Sequence, residues 1–161
     1  MDKVLSFHQG RLPLLISMPH AGLRLSDAVR DGLVDQAQSL PDTDWHIPQL
    51  YDFARDLGAS VVAAEYSRFV IDLNRPDDDK PLYAGATTGL YPATLFGGEP
   101  LFKDGLAPSG EERKRYLEQI WRPYHATIRR ELDRLREQFG YALLWDAHSI
   151  RSLIPHLFDG K

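Results

Sequence analysis

Three apolar runs of this sequence stop on polar groups able to share one chemistry. LPLLIS (12–17) meets Met18-Pro19-His20, FVI (69–71) meets Asp72-Leu73-Asn74-Arg75, and ALLW (142–145) meets Asp146-Ala147-His148-Ser149. His20 and His148 lie far apart in the chain, so they lack the local spacing of a helical zinc motif. On neighbouring strand ends, however, two imidazoles can share a metal, with a carboxylate as third ligand and water in the open position. Asp44, at a helix start, is the first choice for that carboxylate and Asp42 the alternative. Asp146 can hydrogen-bond a nearby imidazole from behind. The chain has no cysteine, so any metal must use His, Asp or Glu.

Each residue also has a plainer reading. A strand-edge histidine is commonly a surface or core residue, Asp44 can simply cap a helix, and Asp146 can mark a turn. His46 and His125 fall in amphipathic helices, where packing or solvation accounts for them. Arg75 beside Asn74 offers a guanidinium fork suited to a carboxylate ligand, and Arg68 can point into the same crevice. The alternative is pairing with the acidic run Asp77-Asp78-Asp79. Ser17, Ser67 and Ser149 are available as nucleophiles, but none sits in a G-x-S-x-G elbow. Phosphate-cradling glycine loops are missing too.

The elements that must position these groups alternate. Leu12–Ser17, Ser60–Ala64, Arg68–Ile71 and Tyr141–Trp145 read as strands, and ALLWDAHSI as the central one. Ser26 caps a helix running to about Ala37. A second helix starts at Thr43 or Asp44, turns Ile47, Leu50, Tyr51, Ala54 and Leu57 to one face, and stops at Gly58. Ser109 and Glu112 form a capping box. The helix that follows runs to Gly140, with Pro123 kinking or splitting it near Trp121. This pattern predicts one α/β domain over 1–161, with a largely parallel sheet flanked by helices. Ligands of such sheets bind beyond the carboxyl ends of the strands, where the three polar clusters gather. Residues 76–108 form a long loop of the kind that is usually functional.

Bulk properties narrow the classes. A formal charge of −4 over 161 residues provides no footprint for nucleic acid. No apolar run reaches membrane-spanning length, and the N-terminus lacks a signal-peptide core, so a cytoplasmic protein without membrane partners is expected.

Taken in order, SMPHAG (17–22), DTDWH (42–46), EYSRFVIDLNRP (65–76), TTGLYP, FGGEPLF, WRPYH (121–125) and DAHSIRSLIPHLFDG (146–160) resemble the N-formylglutamate amidohydrolase (deformylase) family, related to zinc carboxypeptidases and aminoacylases. The resemblance covers nearly the whole chain. It implies a three-layer α/β fold with a mixed, mostly parallel sheet, and Zn2+ on His20, Asp44 and His148. Asp146 and Ser149 are implied as supports. Asn74 and Arg75 match the pair that grips a substrate carboxylate, and Arg68 resembles a second anion-binding or carbonyl-polarising arginine. The implied reaction is hydrolysis of N-formyl-L-glutamate, a small acidic substrate, to formate and glutamate in histidine degradation.

The resemblance also implies about another hundred residues, with a glycine-rich segment and a late strand bearing a glutamate. The family's general base is therefore expected beyond Lys161, and Glu65 is the nearest internal substitute. A sheet lacking that C-terminal part exposes an edge and an apolar face, which favours self-association. Two other readings stand beside the zinc amidohydrolase. One is a shortened member that binds dicarboxylates without turnover; the other is a metal-independent hydrolase.

Overall fold

The computed structural model describes residues 3–80 and 88–150. Its sheet has four strands: β1 (Leu5–His8), β2 (Leu14–Met18), β3 (Ser60–Ala64) and β4 (Leu143–Asp146). Their order is β1-β3-β2-β4. β2 runs parallel to both β3 and β4, whereas β1 pairs antiparallel with β3.

Alternation along the strands builds the layers. Leu15 and Val62 face one side, where Val29, Leu33, Leu101, Tyr124 and Leu135 join the larger core. Ile16, Met18 and Val61 face the other and pack on Ile47, Ala54 and Ala59. Two helical layers therefore sandwich the sheet, because side chains of period 2 supply an apolar face in each direction. The α/β expectation is met.

On the first side lie α1 (Asp27–Gly32), capped by Ser26, and the long pair α4 (Gly110–Tyr116) and α5 (Arg122–Phe139). Ser109 and Glu112 form the expected capping box. The expected break near Pro123 is a π-helical turn over Leu117–Trp121, with the proline in the first turn of α5. Proline has no N–H to give the preceding turn, and the wider π-helical turn takes up that missing bond. Gly140 closes α5 at φ 80°, a left-handed position that glycine occupies without penalty.

Four expectations need correction, the first being the Ser26 helix, which stops at Gly32 and is followed by a separate 3-10 turn over Asp35–Ala37. The helix beginning at Thr43 or Asp44 is broken into α2 (Ile47–Leu50) and α3 (Phe53–Leu57). His46, at φ 67°, precedes α2, and only Ile47 and Ala54 of the expected face are buried, while Leu50 and Leu57 are exposed. Arg68–Ile71 is not a strand: Val70 N–H bonds back to Ser67 in a turn. β1 was not foreseen, since LSFH is four residues long with an exposed end. Finally, β4 is not central. Among the described residues it is an outer strand, and Leu143, Leu144 and Trp145 are about half exposed. An apolar run signals contact with something apolar but not its place in the strand order.

Candidate metal centre

β2 delivers His20 just past its last residue. The Pro19–Gly22 turn lies on the end of β3, where a Cβ on Gly22 would collide with the Tyr66 carbonyl. The Asp44 N–H donates to the His20 carbonyl at 3.0 Å, fixing the Asp44 loop against that turn. β4 pairs Asp146 with Ser17, and Ala147 N–H extends the ladder to the Ser17 carbonyl at 2.8 Å. Parallel pairing in this register carries His148 beside His20, their ring centroids 4.8 Å apart.

Asp44 is the meeting point. Its Oδ2 lies 3.0 Å from His148 Nδ1 and 3.7 Å from His20 Nδ1, and Ser149 Oγ donates to its Oδ1 at 3.4 Å. The rear nitrogens are occupied as well. His20 Nε2 lies 2.7 Å from Asp72 Oδ1, and His148 Nε2 lies 3.0 Å from Asp146 Oδ2. The Asn74 side-chain amide reaches that same His148 nitrogen at 3.2 Å.

Burial separates the two imidazoles electrostatically. His20 is pushed below its ordinary value by desolvation, against the pull of Asp72, so it is a neutral ring donating Nε2–H to a carboxylate. His148 is more accessible. Burial opposes its charge, but hydrogen bonds to Asp146 and Asp44 push it up to about 9. Asp72 has no exposed surface, yet it stays ionised. Burial opposes this, while His20, Arg68 and Arg75 hold its carboxyl well below the usual range.

Arg68 Nη2 donates to Asp72 Oδ2 at 2.7 Å. It also lines a cavity of about 240 Å³ with Asp44, Trp45, Phe96, Ser149 and Ile150, slightly below the ~300–1,000 Å³ usual for small-molecule sites. Arg75 lies nearby. Its Nε donates to the Thr88 carbonyl at 2.7 Å and one Nη to the Asn74 carbonyl at 2.8 Å, while Trp121 Nε1–H donates to the Arg75 carbonyl at 2.9 Å.

Other sequence candidates lie elsewhere. Asp42 accepts from the Phe96 N–H at 2.8 Å and is not a member of the cluster. Glu65 pairs with Lys3 at 3.2 Å and lines a separate cavity with Tyr51 and Arg55. His125 stacks on Trp121 at 3.8 Å and bonds the Leu73 carbonyl. Asp44 does not cap α2, whose preceding residue is His46. His156 lies outside the described residues. Sequence reading assigned no role to Asp72, although a carboxylate directly after an apolar run is a signal of burial with partners.

Among the described residues His20, Asp44 and His148 form a group able to hold a metal ion, with ligand atoms within 4.8 Å of one another. The donor set fits a divalent cation. Two imidazoles present Nδ1 toward a carboxylate, and each has a carboxylate behind it that fixes tautomer and orientation.

Residues 12–161 match the family model for N-formylglutamate amidohydrolase. The chain is 95% identical over 161 residues to an N-formylglutamate deformylase of Pseudomonas putida and 70% identical to one of Pseudomonas aeruginosa. It spans all of its own length but only 60% of each relative. Two solved structures share the fold. An N-formylglutamate amidohydrolase from Ralstonia eutropha has a TM-score of 0.77 at 24% identity, covering 91% of this chain and 58% of that one. A gene product of Agrobacterium tumefaciens has a TM-score of 0.73 at 18% identity, covering 92% and 57%.

Proposed function

This chain belongs to the N-formylglutamate amidohydrolase family, and from that premise we propose that it carries the metal centre and acid-recognition side of an enzyme hydrolysing N-formyl-L-glutamate to formate and L-glutamate. The observation that carries this reading is the convergence of His20, His148 and Asp44, with Arg68 bound to the carboxylate that orients His20. We assign the cation as Zn2+, the reaction to histidine breakdown and the setting to the cytoplasm. Among the described residues no helix is long and apolar enough to cross a membrane.

The chain's own groups have separate tasks. Neutral His20 keeps its Nδ1 lone pair directed toward Asp44 because Nε2–H is committed to Asp72. Asp146 holds His148 from behind in the same way. When bound, a divalent cation supplies a Lewis acid for the formyl oxygen and acidifies water. Arg68, in the cavity bordering Asp44, stands ready to stabilise negative charge developing on that oxygen. Arg75 is the partner for a substrate carboxylate. Asp44 and Asp146 are committed to imidazoles, and Glu65 to Lys3.

Zinc titration followed by formate release from N-formylglutamate tests the reading in the full-length protein. Activity should track bound zinc and vanish on chelation. Activity that survives chelation would identify a metal-independent hydrolase. Tight glutamate binding without formate release would identify a dicarboxylate-binding module.

A further inference from the structure

Arg68 and Arg75 lie on either side of Asp72, yet both reach the same hydroxyl. Arg75 Nη2 lies 3.2 Å from Thr88 Oγ1, and Arg68 Nη2 lies 3.4 Å from that atom. Arg75 Nε also donates to the Thr88 carbonyl at 2.7 Å. Thr88 thus receives one guanidinium on two oxygens and offers its remaining lone pair to the other.

The residue is itself held in place. Asp72 N–H donates to the Leu90 carbonyl at 2.8 Å, pinning the strip that carries Thr88 to the turn that carries Arg75. Asp79, at φ 56°, ends a turn closed by its N–H on the Pro76 carbonyl and accepts the Leu90 N–H on Oδ1. Asp72 offsets only one of the two positive charges that meet at this neutral oxygen, so the pair keeps a net positive charge. An anion entering beside that oxygen offsets that charge and takes up Arg donors already aligned, so little ordering is required on binding.

We propose that Thr88 is a positioning residue for carboxylate recognition. Its hydroxyl and carbonyl fix the Arg75 guanidinium, which receives a carboxylate of the acidic substrate, while Arg68 keeps its anchor on Asp72. This inference rests on the acid-recognition reading above and adds a residue to it.

The test compares Thr88→Val, which keeps shape and removes the acceptor, Thr88→Ser, which keeps the hydroxyl, and Arg75→Ala. All are made in the full-length zinc-loaded protein, with Thr88→Ala as a second variant should the valine form fail to fold. KM and kcat for N-formylglutamate, L-glutamate affinity by calorimetry, and zinc content are measured. Losing a hydrogen bond to a charged donor should raise KM and the glutamate Kd about tenfold in Thr88→Val. Changes in kcat and zinc content should be small, and Thr88→Ser should recover binding. Wild-type KM and Kd in Thr88→Val, alongside weakened binding in Arg75→Ala, would overturn the Thr88 inference and leave the pocket standing. Equal impairment of Thr88→Val and Thr88→Ser would also overturn it, by showing that shape rather than the hydroxyl matters. Unchanged binding in Arg75→Ala would overturn the acid-recognition reading itself.

Discussion

His20 and Arg68 share one carboxylate. Asp72 accepts from the imidazole on Oδ1 and from the guanidinium on Oδ2, each at 2.7 Å, and its Oδ1 also takes the Asn74 N–H at 2.9 Å. A metal-ligating ring and a candidate oxyanion partner therefore cannot move independently.

Asp72→Asn should disturb both ends. The amide can no longer accept from His20 and Arg68 together, so the ring loses its fixed tautomer. Zinc affinity should fall on the order of 10–100-fold. Leaving Arg68 as an uncompensated charge in a buried setting should destabilise the fold by about 3 kcal/mol. Competition against a zinc chelator and urea unfolding of the metal-free protein measure the two effects. Wild-type zinc affinity in this variant would sink the coupling.

His20→Ala, Asp44→Ala and His148→Ala should each lower zinc content, read by elemental analysis after dialysis. The metal-free proteins should differ in stability. His20 and Asp44 are buried and His148 is more accessible, so His148→Ala should melt nearest to wild type. Full zinc content in both histidine variants would remove the metal assignment.

Glu131 provides a pH dependence away from the metal centre. It is buried on α5 and accepts from Arg134 at 2.6 and 2.8 Å and from Ser60 Oγ. Burial opposes its charge, but the hydrogen bonds from Arg134 and Ser60 hold its carboxyl below the ordinary value. A depressed folded-state pKa adds stability that is complete above the unfolded-state pKa and disappears as pH falls through the folded one. Glu131→Gln should therefore lower stability by about 1–2 kcal/mol at pH 7. Thermal melts should show the gap narrowing below about pH 4. A gap independent of pH would mean that packing, not the carboxylate, is responsible.

Leu143, Leu144 and Trp145 leave apolar surface on the outer strand of the described sheet. The 161-residue chain by itself should self-associate through it. Leu144→Lys should shift the population toward monomer in sedimentation velocity, with the fold unchanged by circular dichroism. A monomeric wild-type chain at high concentration would refute this.

Local chemistry was legible in the sequence wherever one segment sufficed. The Ser109–Glu112 capping box, the interruption near Pro123 and the apolar runs ending at Ser17 and Trp145 follow from neighbours along the chain. His20, Asp44 and His148 could be nominated because ligand chemistry restricts residue type. What escaped depends on pairing across the fold. Asp72 acquires its role only when His20 closes on it from a segment 52 residues away, and Thr88 only when the Leu90 strip docks on the Arg75 turn. The outer position of β4 and the short β1 are likewise decided by partners that hydrophobic alternation does not name. The helix expected from Thr43 or Asp44 fails because Asp44 N–H bonds His20, a long-range contact that draws this residue out of helical spacing.

The π-helical turn at Leu117–Trp121 works as a phase adjuster between two halves of one rod. Tyr116, before it, bonds Ser26 at 2.7 Å, while Tyr124, after it, bonds Ser17 at 3.0 Å, and Trp121 at its end bonds the Arg75 carbonyl. Removing one residue from this turn would rotate everything downstream by about 100° relative to α4. The sheet-facing side of α5 would then turn away from Ser17 and Ser60 with hardly any change in composition. Length, more than side-chain identity, is what this stretch has to conserve.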